Sequence, residues 1–203
     1  PAEWTPTPEA TATPPAEKDY GTYQALTGDA NRVANYNRDV DTSLFTGTIL
    51  VTSFGQSADG SMLNALMKKT AATFDFISDA DADTCAGYNV VLIACGASTK
   101  GLGAAGISES AERERAEAIQ AKLEGTDTKI IAVHLGGSTR RGALSDGFTD
   151  YALAMADYII AVEEGNTDFY FHKASDQHQV PMTLVYLAAD ATGPLTDIFG
   201  KAA

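Results

Sequence analysis

Six short apolar runs, separated by stretches with helical periodicity, constrain this chain more than any other feature of its sequence. They are Gly47–Ser53, Thr73–Ile77, Asn89–Ala94, Lys129–His134, Tyr158–Val162 and Met182–Tyr186. Nearly continuous runs of this length, rich in Val and Ile, read as strands buried on both faces. Between them, Met62, Leu63, Leu66 and Met67 repeat at helical spacing, with Ser57 as a cap and Asp59 in the first turn. Ser108 opens a second, strongly charged helix whose inner face is Ala116, Ile119 and Leu123 and whose stop is Gly125. Phe148, Tyr151, Ala152 and Met155 mark another, Asp168–Gln177 a further one, and Leu195–Phe199 a closing turn. Alternation of this kind implies βαβ crossovers and a parallel sheet covered on both sides. The fold class is therefore α/β: a doubly wound, mostly parallel sheet of five or six strands with helices on both faces, flavodoxin-like or Rossmann-like.

The first residues cannot belong to that core. Five of the seven prolines fall within residues 1–15, and no Ile, Leu or Val precedes Leu26. Residues 1–24 read as a disordered Thr/Pro-rich stalk, residues 25–46 as an irregular arm laid on the domain, and residues 47–203 as one α/β domain. The chain opens at Pro1 with neither a Met nor a signal peptide, as a mature or trimmed product would. A stalk of this composition suits a tether to a membrane or wall anchor. Localisation would then be extracytoplasmic, secreted or attached to the cell envelope.

Charge argues against one class of partner, and hydropathy against a transmembrane segment. With 14 basic and 27 acidic residues the formal net charge is −13, which repels phosphate backbones and disfavours nucleic acid. No apolar run approaches the roughly 18 residues a transmembrane helix needs. The acidic excess is concentrated in Glu109, Glu112, Glu114, Glu117 and Glu124 and in Asp79, Asp81 and Asp83, all read as solvated surface.

Open parallel sheets bind ligands beyond the carboxyl ends of their strands. That rule selects Ser53–Ser57, a long loop over residues 95–106, His134–Gly142 and Glu163–Gly165. These segments are rich in Gly, Ser and Thr, and hold three scarce cations. The expected ligand-binding residues are Gln56, Ser57, Ser98, Lys100, Ser138, Arg140 and Arg141, converging on a small anionic or polar ligand. The plain alternative has the glycines making turns and the cations pairing with Glu112, Asp146 or Asp150.

Other chemistries find less support. Gly101–Gly106 spells G-x-G-x-x-G but follows the third strand, not the first, so dinucleotide binding is rejected and no cofactor is implied. Asp79, Asp81 and Asp83 alternate as in calcium loops, yet Thr84 and Val90 occupy the positions that need Gly and Glu. His172 and His178 lack companions for zinc, and no metal site is expected. Cys95 and His134 end adjacent runs and form the alternative catalytic pair, of a hydrolase or transferase. Cys85 and Cys95 are the only cysteines and leave a disulfide open. A third reading is a cell-surface protein-interaction module.

The strings Leu50–Asp59 (LVTSFGQSAD), Gly96–Ile107 (GASTKGLGAAGI) and Gly136–Asp146 (GGSTRRGALSD) carry a resemblance. Over residues 47–200 the chain resembles an uncharacterised family of secreted or lipid-anchored bacterial proteins, a domain of unknown function. The resemblance implies an extracytoplasmic α/β domain and no assigned activity. Where that family reads Gly-Gly before its Ser-Ser/Thr-Lys-Gly string, this chain has Cys95-Gly96, which argues against a cysteine nucleophile shared across the family.

Overall fold

The structure, a computed structural model, describes residues 18–202. Most of the expected stalk, residues 1–17, lies outside the described residues. Seven strands form one sheet: β1 (Val33–Tyr36), β2 (Ile49–Phe54), β3 (Asp75–Phe76), β4 (Val90–Cys95), β5 (Lys129–His134), β6 (Tyr158–Val162) and β7 (Met182–Val185). Six coincide with the apolar runs. The seventh, β1, comes from the segment read as an irregular arm and pairs antiparallel with β7, Val33 opposite Val185 and Tyr36 opposite Met182.

The strand order is β1-β7-β6-β5-β4-β2-β3, and β2 through β7 are all parallel. Leaving out β1, the parallel strands follow the doubly wound order of flavodoxin-like folds, in which the second strand flanks the first on one side and the third flanks it on the other. The chain therefore reverses direction across the sheet between β2 and β4. The loops leaving those two strands stay in contact for a few residues, the Gly96 amide donating to Phe54 O at 3.3 Å and the Ser98 amide to Gly55 O at 3.0 Å, before they enter different helices.

Among the described residues seven α-helices accompany the sheet: α1 (Asp59–Met67), α2 (Ala82–Cys85), α3 (Thr99–Ala105), α4 (Glu109–Leu123), α5 (Ala143–Met155), α6 (Tyr170–His178) and α7 (Thr192–Phe199). Side chains alternate across the strands and divide the core into two layers. Leu50, Phe54, Ile93, Cys95 and Ala132 pack with Cys85, Ile119, Phe148 and Phe171 beneath α2, α4, α5 and α6. Val51, Leu92, Ala94, Ile131 and Ile160 pack with Leu63, Met67 and Leu195 beneath α1 and α7. Both faces of the sheet are thus buried, as the unbroken apolar runs required. Among the described residues no helix is long and apolar enough to cross a membrane.

Residues 18–36 run along the β6–β7 side of the molecule. Tyr20 and Tyr36 donate hydrogen bonds to Asp176 Oδ2, at 2.8 and 3.0 Å, and Lys18 Nζ lies 2.7 Å from the same oxygen. Tyr23 Oη and the Leu26 amide both donate to Glu163 Oε2, at 3.0 and 2.9 Å. These contacts tie residues 18–26 to the last helix before β7 and to the carboxyl end of β6.

Candidate functional site

The loop leaving β2 turns sharply, with Gly55 at φ +87° and Gln56 at φ +51°. It is braced from α4. The Gly55 amide donates to Glu112 Oε1 at 2.8 Å, and Gln56 Nε2 donates to Ser78 O at 3.0 Å and to Glu112 Oε1 at 3.3 Å. The next hydroxyl, Ser57 Oγ, accepts the Asp59 amide at 3.2 Å, one residue from the cap position expected for it.

The loop leaving β4 is shorter than the sequence suggested. Residues 99–105 are helical: Ser98 Oγ accepts the Gly101 amide at 3.1 Å and starts α3, and Gly106, at φ +69°, ends it. Two interior glycines obscured this helix, since each lowers helix propensity by about 1 kcal/mol. Gly101 is nonetheless required, because a Cβ there would collide with the Gln56 carbonyl oxygen. Close contact between α3 and the Gln56 turn is what joins the two loops.

A crevice of about 520 Å³ opens at this reversal point, between the α1 and α3 starts. It is lined by Gln56, Ser57, Ser98, Lys100 and Arg140, five of the seven expected residues, with Ser61, Ser78 and Phe76. Among the described residues no carboxylate lines it. Ser57 and Ser98 each accept a backbone amide; the Ser57 hydroxyl is drawn to the Asp59 carboxylate, which leaves the Ser98 hydroxyl proton to donate outward. Lys100 is exposed in the first turn of α3. The Gln56 amide nitrogen is already committed to Ser78 and Glu112, so this residue shapes the wall and leaves donation to its neighbours.

Behind the wall lies Asp59, only 1% exposed. Its Oδ1 is 3.7 Å from Arg140 Nε, an ion contact too long for a hydrogen bond. Oδ2 and Arg140 Nε are both buried without a hydrogen-bond partner. Burial pushes the Asp59 carboxyl above the usual carboxylate range; the Arg140 charge, then the Gly136 and Leu135 amides and Ser57, oppose this from nearby.

The remaining expected residues are drawn elsewhere. Arg141 donates to Asp146 Oδ1 at 2.8 Å and Asp168 Oδ2 at 2.9 Å, also to the Gly165 carbonyl, and stacks 4.1 Å from the Tyr170 ring centroid. It clamps the loops after β5 and β6 together, which is the ion-pairing alternative for this cation. Ser138 Oγ donates to Glu164 Oε1 at 2.9 Å. Neither residue lines the crevice.

The Cys95–His134 pair does not have the arrangement of a nucleophile and its base. Cys95 is fully buried and its Sγ donates to Ile93 O at 3.3 Å. Burial pushes its thiol up to about 12, opposite to activation. His134 Nε2 lies 3.0 Å from Gly137 O, and Nδ1 has no partner. Burial lowers its pKa. Cys85 and Cys95 are both free thiols, so the disulfide is not formed.

A larger cavity, about 600 Å³, lies at the opposite, amino-terminal edge between the ends of α4 and α5. Glu117, Glu124 and Asp157 line it, and its Lys129 is paired with Asp157 at 3.5 Å. Its charge is wrong for an anion.

No curated protein sequence matches the chain. Among solved structures, the solution structure of two-electron reduced Megasphaera elsdenii flavodoxin is similar at 17% identity, covering 56% of this chain and 82% of that one with a TM-score of 0.36. A family model matches residues 46–199, three quarters of the chain and all of the sheet except β1. The chain belongs to that family, a domain of unknown function, DUF6305.

Proposed function

We propose that this domain binds a small anionic ligand in the crevice between the loops leaving β2 and β4. One observation carries the reading: in a chain of net charge −13 the crevice has two cations, Lys100 and Arg140, and no carboxylate among the described residues of its wall. The Ser98 hydroxyl, whose proton is left to donate, suits a phosphate or carboxylate oxygen. The position at the reversal of strand order supports it too, because the backbone leaves room for a ligand there.

Thermal unfolding in the presence of phosphate- and carboxylate-bearing metabolites, each beside an uncharged counterpart, tests this reading. A ligand at 100 times its Kd adds about 2.7 kcal/mol, a rise of a few degrees in Tm for a domain of this size. Lys100→Ala and Arg140→Ala lose most of that rise. Equal stabilisation of the parent and both variants by the same anions overturns the assignment.

We further propose an extracytoplasmic location, supported by the Pro/Thr-rich segment at residues 1–15. Cell fractionation of the native host tests it, and recovery in the cytoplasm overturns it.

A further inference from the structure

We propose that an anion entering this crevice is bound together with one proton, which ends on Asp59. The inference rests on the anion-binding reading above and adds a coupling that the reading does not require.

Three geometric facts support it. Asp59 is 1% exposed and its Oδ2 has no hydrogen-bond partner. Its one ion contact is Arg140, at 3.7 Å. Arg140 in turn lines the crevice, so a single guanidinium faces both the buried carboxylate and the ligand space. The stem of Arg140 lies over the glycines that end β4 and begin the turn after β5. A Cβ on Gly96 would sit 3.2 Å from Arg140 Cβ and 3.4 Å from Asp59 Oδ2; one on Gly136 would sit 2.9 Å from Oδ2 and collide with Arg140 Cγ. The two glycines thereby let the arginine fold down over the carboxylate.

The guanidinium is poorly satisfied in that position. Nε has no hydrogen bond, and Nη1 donates only to Thr139 O at 3.3 Å. A phosphate or carboxylate in the crevice offers it a charge-assisted, two-pronged partner, which is the stronger interaction. As Arg140 turns to the anion, the Asp59 carboxylate loses its only countercharge while remaining buried. The Gly136 and Leu135 amides and Ser57 remain beside it, but they carry no charge, and a buried carboxylate without a countercharge is driven to take up a proton. The balance is simple: one solvent proton adds to a carboxylate oxygen, and no covalent bond to the ligand forms or breaks.

The ionisable groups acting on Asp59 from the packed elements are Arg140, from the turn after β5, and Cys95, from β4. Burial keeps the Cys95 thiol protonated through neutral pH, so it neither supplies nor competes for the proton. The Asp59 carboxyl already sits above its ordinary value in the free protein, and removing Arg140 moves it further in the same direction. Between those two values, binding tightens as pH falls, by up to about tenfold per pH unit for one linked proton.

Sulfate is the probe, because its charge does not change near neutrality. Calorimetric titration of the parent protein with sulfate, in buffers of different ionisation heat across about pH 5 to pH 8, gives the proton count without any substitution. The expected result is uptake rising towards one proton per anion, with affinity increasing as pH falls. Asp59→Asn binds sulfate with no uptake and a flat pH profile. Zero uptake in the parent, or unchanged uptake in Asp59→Asn, overturns the coupling. If that happens while Lys100→Ala and Arg140→Ala still weaken sulfate binding, the anion site itself stands. Failure of sulfate to bind overturns the coupling as stated, and failure of the whole phosphate and carboxylate panel overturns the site as well.

Discussion

Glu112 is fully buried in a helix whose other acidic residues face solvent, and its tolerance depends on full hydrogen bonding. Arg115 Nη2 and Nε lie 2.7 and 2.8 Å from its two oxygens, and the Gly55 amide adds a third bond at 2.8 Å. Arg115 also donates to the carbonyls of Ala80 and Ser53 and sits 5.4 Å from the Phe54 ring centroid. One ion pair therefore anchors the end of β2 to α4 and holds the floor of the crevice. Replacing Arg115 by Ala leaves the carboxylate buried and unpaired, which costs about 3–5 kcal/mol. Arg113→Ala breaks an exposed pair with Glu109 four residues earlier, worth about 0.3–0.5 kcal/mol, and a cation–π contact 4.9 Å from the Phe148 ring centroid, worth about 0.5–1 kcal/mol. Urea denaturation midpoints for the two variants check the contrast; similar losses would remove the brace from the account. Glu112 was read from the sequence as solvated surface, with the apolar face beginning at Ala116. It lies one turn before Ala116 on that same face, but nothing in helical periodicity reveals that a carboxylate there meets an arginine and a strand-end amide. A buried charge is invisible to a reading based on apolar spacing.

At the scale of elements, apolar runs buried on both faces were legible because their composition leaves few alternatives. The elements missed were those whose reason lies in a distant partner. β1 is a four-residue edge strand, Val-Ala-Asn-Tyr, exposed on one side, and only its pairing with β7 some 150 residues later makes it a strand. α3 carried a start signal in Ser98 and a stop signal in Gly106, yet Gly101 and Gly103 argued for a loop. Their roles differ, and that difference is testable. A Cβ at Gly101 would strike the Gln56 backbone oxygen, which cannot swing aside as a flexible side chain would, whereas a Cβ at Gly103 has nothing within 4 Å. Gly101→Ala should cost about 1–3 kcal/mol, the range for forcing atoms into a packed contact, and should disturb anion binding by shifting the turn that holds Ser57. Gly103→Ala should stabilise by about 0.5–1 kcal/mol through helix propensity alone. Opposite signs of Tm change in these two variants are the expected outcome. A neutral Gly101→Ala would mean that α3 is free to move away from the β2 loop.

The whole molecule decides which strand ends stay open. The rule that ligands lie beyond carboxyl ends selected four loops, and side-chain pairing then separates them: those after β2 and β4 touch through their backbones and leave a crevice beside the starts of α1 and α3, while those after β5 and β6 are clamped by ion pairs and closed over. Arg141 and Ser138 are held away from the crevice by Asp168 and Glu164, partners 27 and 26 residues away in sequence that become neighbours only once β5 and β6 pair. His134 is buried under that closed end, 1% exposed, with its ring 5.0 Å from Phe171 and its Nδ1 unpartnered. Burial depresses its pKa below the ordinary 6.5, so the folded state holds it neutral where the unfolded chain begins to charge it. The stability this contributes is fully present above about pH 6.5 and is lost as pH falls from there towards the folded value. The slope is at most about 1.4 kcal/mol per pH unit for one proton. His172 is half-buried and shifted in the same direction, whereas Asp59, raised by burial, gains stability on protonation and works against the trend. Substituting His134 by Gln keeps a polar side chain in the same space and removes its titration. Urea midpoints measured from about pH 7.5 down to about pH 5 should then fall less steeply in His134→Gln than in the parent. Identical slopes would mean that the imidazole takes up its proton without opening the β5–β6 end, and the closure assigned to Arg141, Glu164 and Asp168 would have to be looser than its contacts indicate.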